Sequence, residues 1–269
     1  MNILANGIRY YVDQRGDHGD PLLVLHGGLG STELFAPDLA AIGAGRRVIA
    51  VDLHGHGRTE LGDRPIRYEA MADDLASILD FLGVGEVDAC GYSLGAGVAF
   101  RLAVQHAARV RRLALVSAGL WTDSFYPEVV PMQQQMSGKL APQLAQTPIY
   151  SNYMRCAPRP DDFPRLLDRM GDLMRTPFDY RGDVAKVRAH TMLVFGDADT
   201  FRLEAMIEQY KLFGGGQRDA GWMREHMPRN RLAILPDVTH YELYRAPALA
   251  ATVKPFLDGT SVAIGQFGA

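Results

Sequence analysis

The chain has 269 residues, 47% of them hydrophobic, with a formal net charge of −3 and a pI near 6.2. That content can bury one sizeable core and rules out a disordered chain or a repeat array. Acidic and basic residues are matched along the length, so no long-range field draws the chain to nucleic acid or an anionic membrane, and small neutral ligands are the expected partners.

No apolar run approaches the roughly 20 residues of a membrane span. Met1-Asn2-Ile3-Leu4 leads into polar residues without a basic n-region or an apolar h-region, so a cytoplasmic location is expected. Cys90 and Cys156 form neither a metal spacing nor a disulfide framework, which suits a reducing compartment.

Residues 8–14 are β-rich and are expected to add an antiparallel edge to a sheet. Short apolar runs bounded by turn residues then recur at 22–25, 48–51, 87–90, 113–116, 192–195 and 232–235. They do not alternate with polar residues, as expected of strands buried on both faces of a mostly parallel sheet. Helical patterns separate them. Met71, Leu75, Ile78, Leu79 and Leu82 follow i, i+4, i+7, i+8 spacing and stop at Gly83, and residues 96–106 place Val98, Leu102 and Ala103 on one face. Strand alternating with helix predicts an α/β sandwich.

The rhythm breaks across 119–182, which holds eight of the fifteen prolines and five of the eleven methionines. Leu166, Leu167, Met170, Leu173 and Met174 form an apolar stripe there, predicting a helical cap inserted after the fifth long apolar run. The expected division is therefore a core of 1–118 and 183–258, a cap of 119–182 and an unpatterned tail of 259–269. Trp121, Phe125 and Tyr126 open the cap and are candidates to line a pocket, and a Met-rich cap offers an adaptable apolar surface.

The chemistry is concentrated in Gly91-Tyr92-Ser93-Leu94-Gly95, which matches G-x-S-x-G. This is a strand-to-helix turn so tight that only glycines fit beside the serine, with the hydroxyl at the positive end of the following helix. Such a serine needs a base, and a carboxylate to orient that base. Of eight histidines, His18, His106, His190 and His226 lie away from the C-terminal edge of the sheet, and His26, His54 and His56 suit bracing of loops. His240 directly follows the last core strand and is the candidate base. Gly196-Asp197-Ala198-Asp199 offers two acids, of which Asp199 is preferred because Gly196 permits a turn that presents it, with Asp197 the reserve.

The order Ser93, Asp199, His240 resembles that of the α/β-hydrolase fold superfamily. His26-Gly27-Gly28 and Asp52-Leu53-His54-Gly55-His56-Gly57-Arg58-Thr59 extend the likeness from about Ile8 to Leu257, with the cap divergent. The resemblance implies an oxyanion site on the backbone N–H groups of Gly28 and Leu94. It further implies a serine esterase or lactonase, a serine being unable to form the alkyl-enzyme of dehalogenases and epoxide hydrolases. The alternative is hydrolysis of a carbon–carbon bond in a vinylogous diketone, with Arg155 or Arg159 near the scissile ketone. A non-catalytic ligand receptor on the same fold is a further alternative.

No cofactor is expected. Gly28-Leu29-Gly30 with Asp52 further on has the outline of a dinucleotide fingerprint, but Glu33 stands at the third glycine and would repel a pyrophosphate. No P-loop motif occurs. His54 and His56 lack a second ligand cluster, so no metal is expected either.

Overall fold

The computed structural model describes residues 1–35 and 40–260. Eight strands form one sheet: β1 (Asn2–Ala5), β2 (Ile8–Arg15), β3 (Pro21–Leu25), β4 (Arg47–Val51), β5 (Val87–Tyr92), β6 (Val110–Val116), β7 (His190–Ala198) and β8 (Arg231–Thr239). Their order is β1-β2-β4-β3-β5-β6-β7-β8. From β4 onward all pairings are parallel, while β1 and β2 run antiparallel. Residues 8–14 are thus an antiparallel strand as expected, but not the edge. Asn2–Ala5 lies outside them, burying only Ile3 and Ala5, too short a pattern to read in advance.

Alternate residues of each central strand feed two cores. Leu23 and Leu25 join one with α1 (Tyr68–Phe81) and α2 (Leu94–Gln105), while Leu22 and Val24 join another closed by Leu249, Val253 and Leu257. Helix α1 stops where the sequence predicts, at Gly83, whose φ of 65° is in the left-handed region glycine tolerates.

Between β6 and β7 the chain leaves the sheet and forms α3 (Val129–Gln134), α4 (Ala141–Leu144), α5 (Pro148–Cys156) and α6 (Phe163–Arg175). The insertion follows the sixth strand; the expected count of five takes in residues 8–14 but omits β1. On α6 the predicted stripe is inward: Leu166, Leu167, Met170 and Leu173 are buried, and Met174 half-buried. Two further helices, α7 (Leu203–Leu212) and α8 (Pro247–Leu257), complete the layers. Of the predicted tail, 261–269 lies outside the described residues.

Latches join the inserted helices to the core. The buried Ser31 hydroxyl donates to Asn152 Oδ1 at 2.7 Å, Arg67 meets Asp172 at 2.8 Å, and Glu33 is clasped by Arg58 and Arg155. The glutamate that breaks the dinucleotide pattern thus ties α5 to the loop after β4.

Candidate active site

Ser93 is the hinge between β5 and α2. Its backbone sits at φ 51°, ψ −115°, a conformation that costs a non-glycine residue on the order of 1–3 kcal/mol. The surroundings enforce it. A Cβ on Gly91 would strike the backbone of Gly95, and one on Gly95 would lie 2.5 Å from the carbonyl oxygens of Leu25 and His26. The Ser93 N–H donates to Val116 O at 2.9 Å, pinning the turn to the neighbouring strand.

His240 arrives from the far edge of the sheet, just after β8. Tyr92, the residue between Gly91 and Ser93, donates its hydroxyl to the His240 carbonyl. The ring then lies with Nε2 3.1 Å from Ser93 Oγ and Nδ1 3.0 Å from Asp199 Oδ1. A carboxylate only accepts, so Nδ1 carries the proton and Nε2 presents a lone pair to the serine.

Asp199 is itself fixed. Its Oδ1 accepts from the Thr200 N–H at 2.7 Å, and Oδ2 from the Ser117 hydroxyl at 2.6 Å and the Gly196 N–H at 3.2 Å. Burial works against its charge, but the hydrogen bond and charge of His240, then the Ser117 and Gly196 donors, outweigh it and hold the carboxyl below the ordinary aspartate range. Asp197 points elsewhere. It is solvent-exposed and accepts from the Val238 N–H at 3.2 Å, two residues before the histidine. Gly196 has a second reason to be glycine, since a Cβ there would collide with the Val238 carbonyl.

Ser117 is the residue that motif reading misses. It follows β6 as Ser93 follows β5, and it shares the left-handed backbone, with φ 54°. Its oxygen lies 2.6 Å from His240 Nδ1 while its proton is committed to Asp199, so Ser117, His240 and Asp199 form a closed network on the side of the ring opposite Ser93. The available signal was positional: a serine at the C-terminal end of the strand adjacent to the elbow.

The loops after β3 and β4 form the other wall. Gly28 faces Leu94, and the N–H groups of both make no hydrogen bond among the described residues. Three buried histidines brace these loops. His26 Nδ1 donates to Gly27 O at 2.7 Å while Nε2 accepts from the Leu53 N–H at 3.0 Å. His54 donates to Leu61 O at 2.7 Å and His56 to His54 O at 2.8 Å. Burial dominates both of the latter, lowering His54 to about 4 and His56 to about 3, so both rings are neutral. Asp52 accepts from the Thr32 and Arg58 N–H groups at 2.6 and 2.8 Å, knitting the two loops together. Among the described residues, no group of three or more His, Cys, Asp or Glu is placed to hold a metal ion.

Above Ser93 lies a cavity of about 110 Å³, reached by Gly28, Leu94, Ser117 and His240 from the core and by Met170, Leu173 and Met174 from α6. Of the three aromatics that open the insertion, Phe125 lines it. Trp121 is buried beneath the Arg181 guanidinium, and Tyr126 is exposed. Arg155 and Arg159 do not reach it, being paired with Glu33 and Asp162.

Residues 20–190 match the model of the α/β hydrolase fold. The chain belongs to the α/β-hydrolase fold family. This α/β-hydrolase is 40% identical over 126 residues to the 2-hydroxymuconate semialdehyde hydrolase of Pseudomonas sp. (strain CF600), a stretch covering 44% of this chain and 43% of that protein. The chain thus spans less than half the length of the first relatives it matches. It is 28% identical over 261 residues to the pimeloyl-[acyl-carrier protein] methyl ester esterase of Neisseria meningitidis serogroup B, covering 88% of this chain and 92% of that one. Among solved structures it superposes on E-2-(acetamidomethylene)succinate hydrolase with a TM-score of 0.73 at 18% identity, covering 96% and 98% of the two chains, which is a likeness of fold. No helix among the described residues is long and apolar enough to cross a membrane.

Proposed function

We propose that the protein is a serine hydrolase that cleaves a small carboxylic ester or lactone by acyl transfer. The carrying observation is the continuous relay from Ser93 Oγ through His240 to Asp199, opening into a cavity beside two unbonded N–H groups. In this reading Ser93 attacks the carbonyl and His240 takes its proton. The Gly28 and Leu94 N–H groups hold the oxyanion, each contributing roughly 2.7–4 kcal/mol in the transition state. His240 then protonates the leaving alcohol, and water, activated by the same ring, releases the acid. An ester needs less help from a leaving-group acid than an amide, and among the described residues no Asp or Glu lines the cavity.

The 119–182 segment serves as a cap on the 1–118 and 183–258 core in this reading, setting which acyl groups enter. Carbon–carbon bond hydrolysis is the second reading, favoured by the 40% identity to a protein named for that semialdehyde. It loses support from Arg155 and Arg159, whose charges are spent on Glu33 and Asp162.

A serine-directed alkyl phosphonate is expected to stop hydrolysis of p-nitrophenyl acetate and to add its mass to the peptide bearing Ser93, with Ser93→Ala unlabelled and inactive though folded. Adduct on another residue, or a Ser93→Ala enzyme as active as the wild type, sinks the assignment.

A further inference from the structure

The cavity above Ser93 carries a second piece of information in what its walls lack. Tyr68, Phe100, Phe125, Met170, Phe178 and Phe201 are among its lining residues, and among the described residues no Asp, Glu, Lys or Arg lines it. Its polar members beyond Ser93, Ser117 and His240 are neutral. The Thr122 hydroxyl is engaged with the Phe178 backbone, and the Gln133 amide makes no hydrogen bond among the described residues. Two arginines on neighbouring elements, Arg101 and Arg175, are committed elsewhere. Arg101 lies behind Tyr180, 4.8 Å from the ring, and is tied to Asp183 at 2.5 Å. Arg175 donates to the carbonyls of Gln134 and Met136 at 3.1 and 3.0 Å.

A carboxylate entering such a chamber gives up its water and meets no cation. The effective penalty for an unpaired ion in a protein interior is several kcal/mol, which at about 1.4 kcal/mol per tenfold exceeds two orders of magnitude. An ester or alkyl group entering the same space gains from the apolar walls instead. The walls leave a cavity of about 110 Å³.

We infer that the substrate is an uncharged ester or lactone, and that esters carrying a carboxylate on the acyl group are rejected. The inference rests on the reading of Ser93 as nucleophile. It separates this chain from any α/β-hydrolase whose chamber holds a cation for an anionic substrate.

The decisive comparison is methyl pentanoate against the anion of monomethyl succinate, two esters of nearly equal length, followed by pH-stat titration at pH 7.5. The expected kcat/KM is at least about 100-fold higher for methyl pentanoate. Gln133→Arg, which puts a cation at the wall without touching Ser93, His240 or Asp199, is expected to narrow that gap at least tenfold. A gap well under 100-fold, with both activities lost in Ser93→Ala, overturns the substrate class and leaves the hydrolase intact. Turnover of p-nitrophenyl acetate with neither methyl ester cleaved does the same. Absence of hydrolysis of all three esters overturns the nucleophile assignment itself, and the substrate inference with it.

Discussion

The cavity has two unlike walls. On the sheet side Ser93, Ser117, Asp199 and His240 sit within a few ångströms of one another, and the backbone is held at positive φ at both serines. On the side of the inserted helices, Met170, Leu173 and Met174 present thioethers and methyls with no polar obligation. A hydrogen bond weakens steeply with misalignment, whereas an apolar contact tolerates a methylene of rearrangement. The first wall is therefore suited to fixing a reaction and the second to choosing what undergoes it. Changes to the first should lower turnover of every ester alike; changes to the second should reorder esters while leaving the proton relay intact.

The sharpest test of that contrast is the acid. Asp199→Asn keeps the size of the side chain but offers His240 Nδ1 an amide in place of a carboxylate, and the ring can adopt the wrong tautomer. A fall of about 10⁴ in kcat is expected, as for the same change in a Ser-His-Asp triad. Asp197→Asn should stay within about threefold, since Asp197 only accepts from the backbone near Val238. The ratio between a short and a long acyl ester should be unchanged in Asp199→Asn. A changed ratio would mean that the two walls are not separate in their effects, and the reverse order of the two variants would exchange the acids.

The loops that support the polar wall make a prediction about acid. His54 and His56 are buried neutral, with pKa values lowered by burial to about 4 and about 3. In the unfolded chain each titrates near 6.5, so below that pH the unfolded state binds more protons and stability falls with pH. Their contribution is complete above about pH 6.5 and is lost progressively as pH drops toward the folded values. Between pH 7 and pH 5 each should cost about 2 kcal/mol. His56→Asn, which retains a donor for the His54 carbonyl, should remove about half of that pH dependence when urea unfolding is measured at the two pH values. An unchanged dependence would show that His56 is not held neutral in the folded protein.

How much of this was legible depended on how tightly backbone geometry restricts residue type. The G-x-S-x-G glycines are demanded by contacts that leave no room for a Cβ, so they read directly as a turn, and Gly196 marks the bend that presents Asp199 in the same way. The parallel strands were legible because burial on both faces removes alternation. β1 was not, because four residues carry no periodicity to speak of. The aromatic and methionine residues that line the cavity were only partly legible. Trp121, Phe125 and Tyr126 look equivalent in sequence, yet one is buried under Arg181, one lines the cavity and one is exposed. Which of these befalls an apolar residue depends on the relative placement of helices far apart in the chain. Arg155 was misplaced for a related reason, since its partner Glu33 lies on a loop distant in sequence.

Ser117 tests the smallest of the three effects and the most specific. Its proton serves Asp199 Oδ2 and its oxygen lies beside His240 Nδ1, so it touches no atom that reacts and acts only through the pair it braces. Ser117→Ala removes one of the donors that keep Asp199 below its ordinary pKa, so that pKa should rise. The acid-side loss of activity should then begin at higher pH, and kcat should fall about 10- to 100-fold with KM nearly unchanged, consistent with about 1.5–3 kcal/mol for a hydrogen bond to a charged group. Ser117→Gly separates the hydroxyl from the backbone, because it also relieves the strain at φ 54°. Both variants should show the same shift of the pH–rate profile, with the glycine variant the more stable of the two in urea. A profile that does not move in either would reduce Ser117 to packing, and the polar wall would then consist of Ser93, His240 and Asp199 alone.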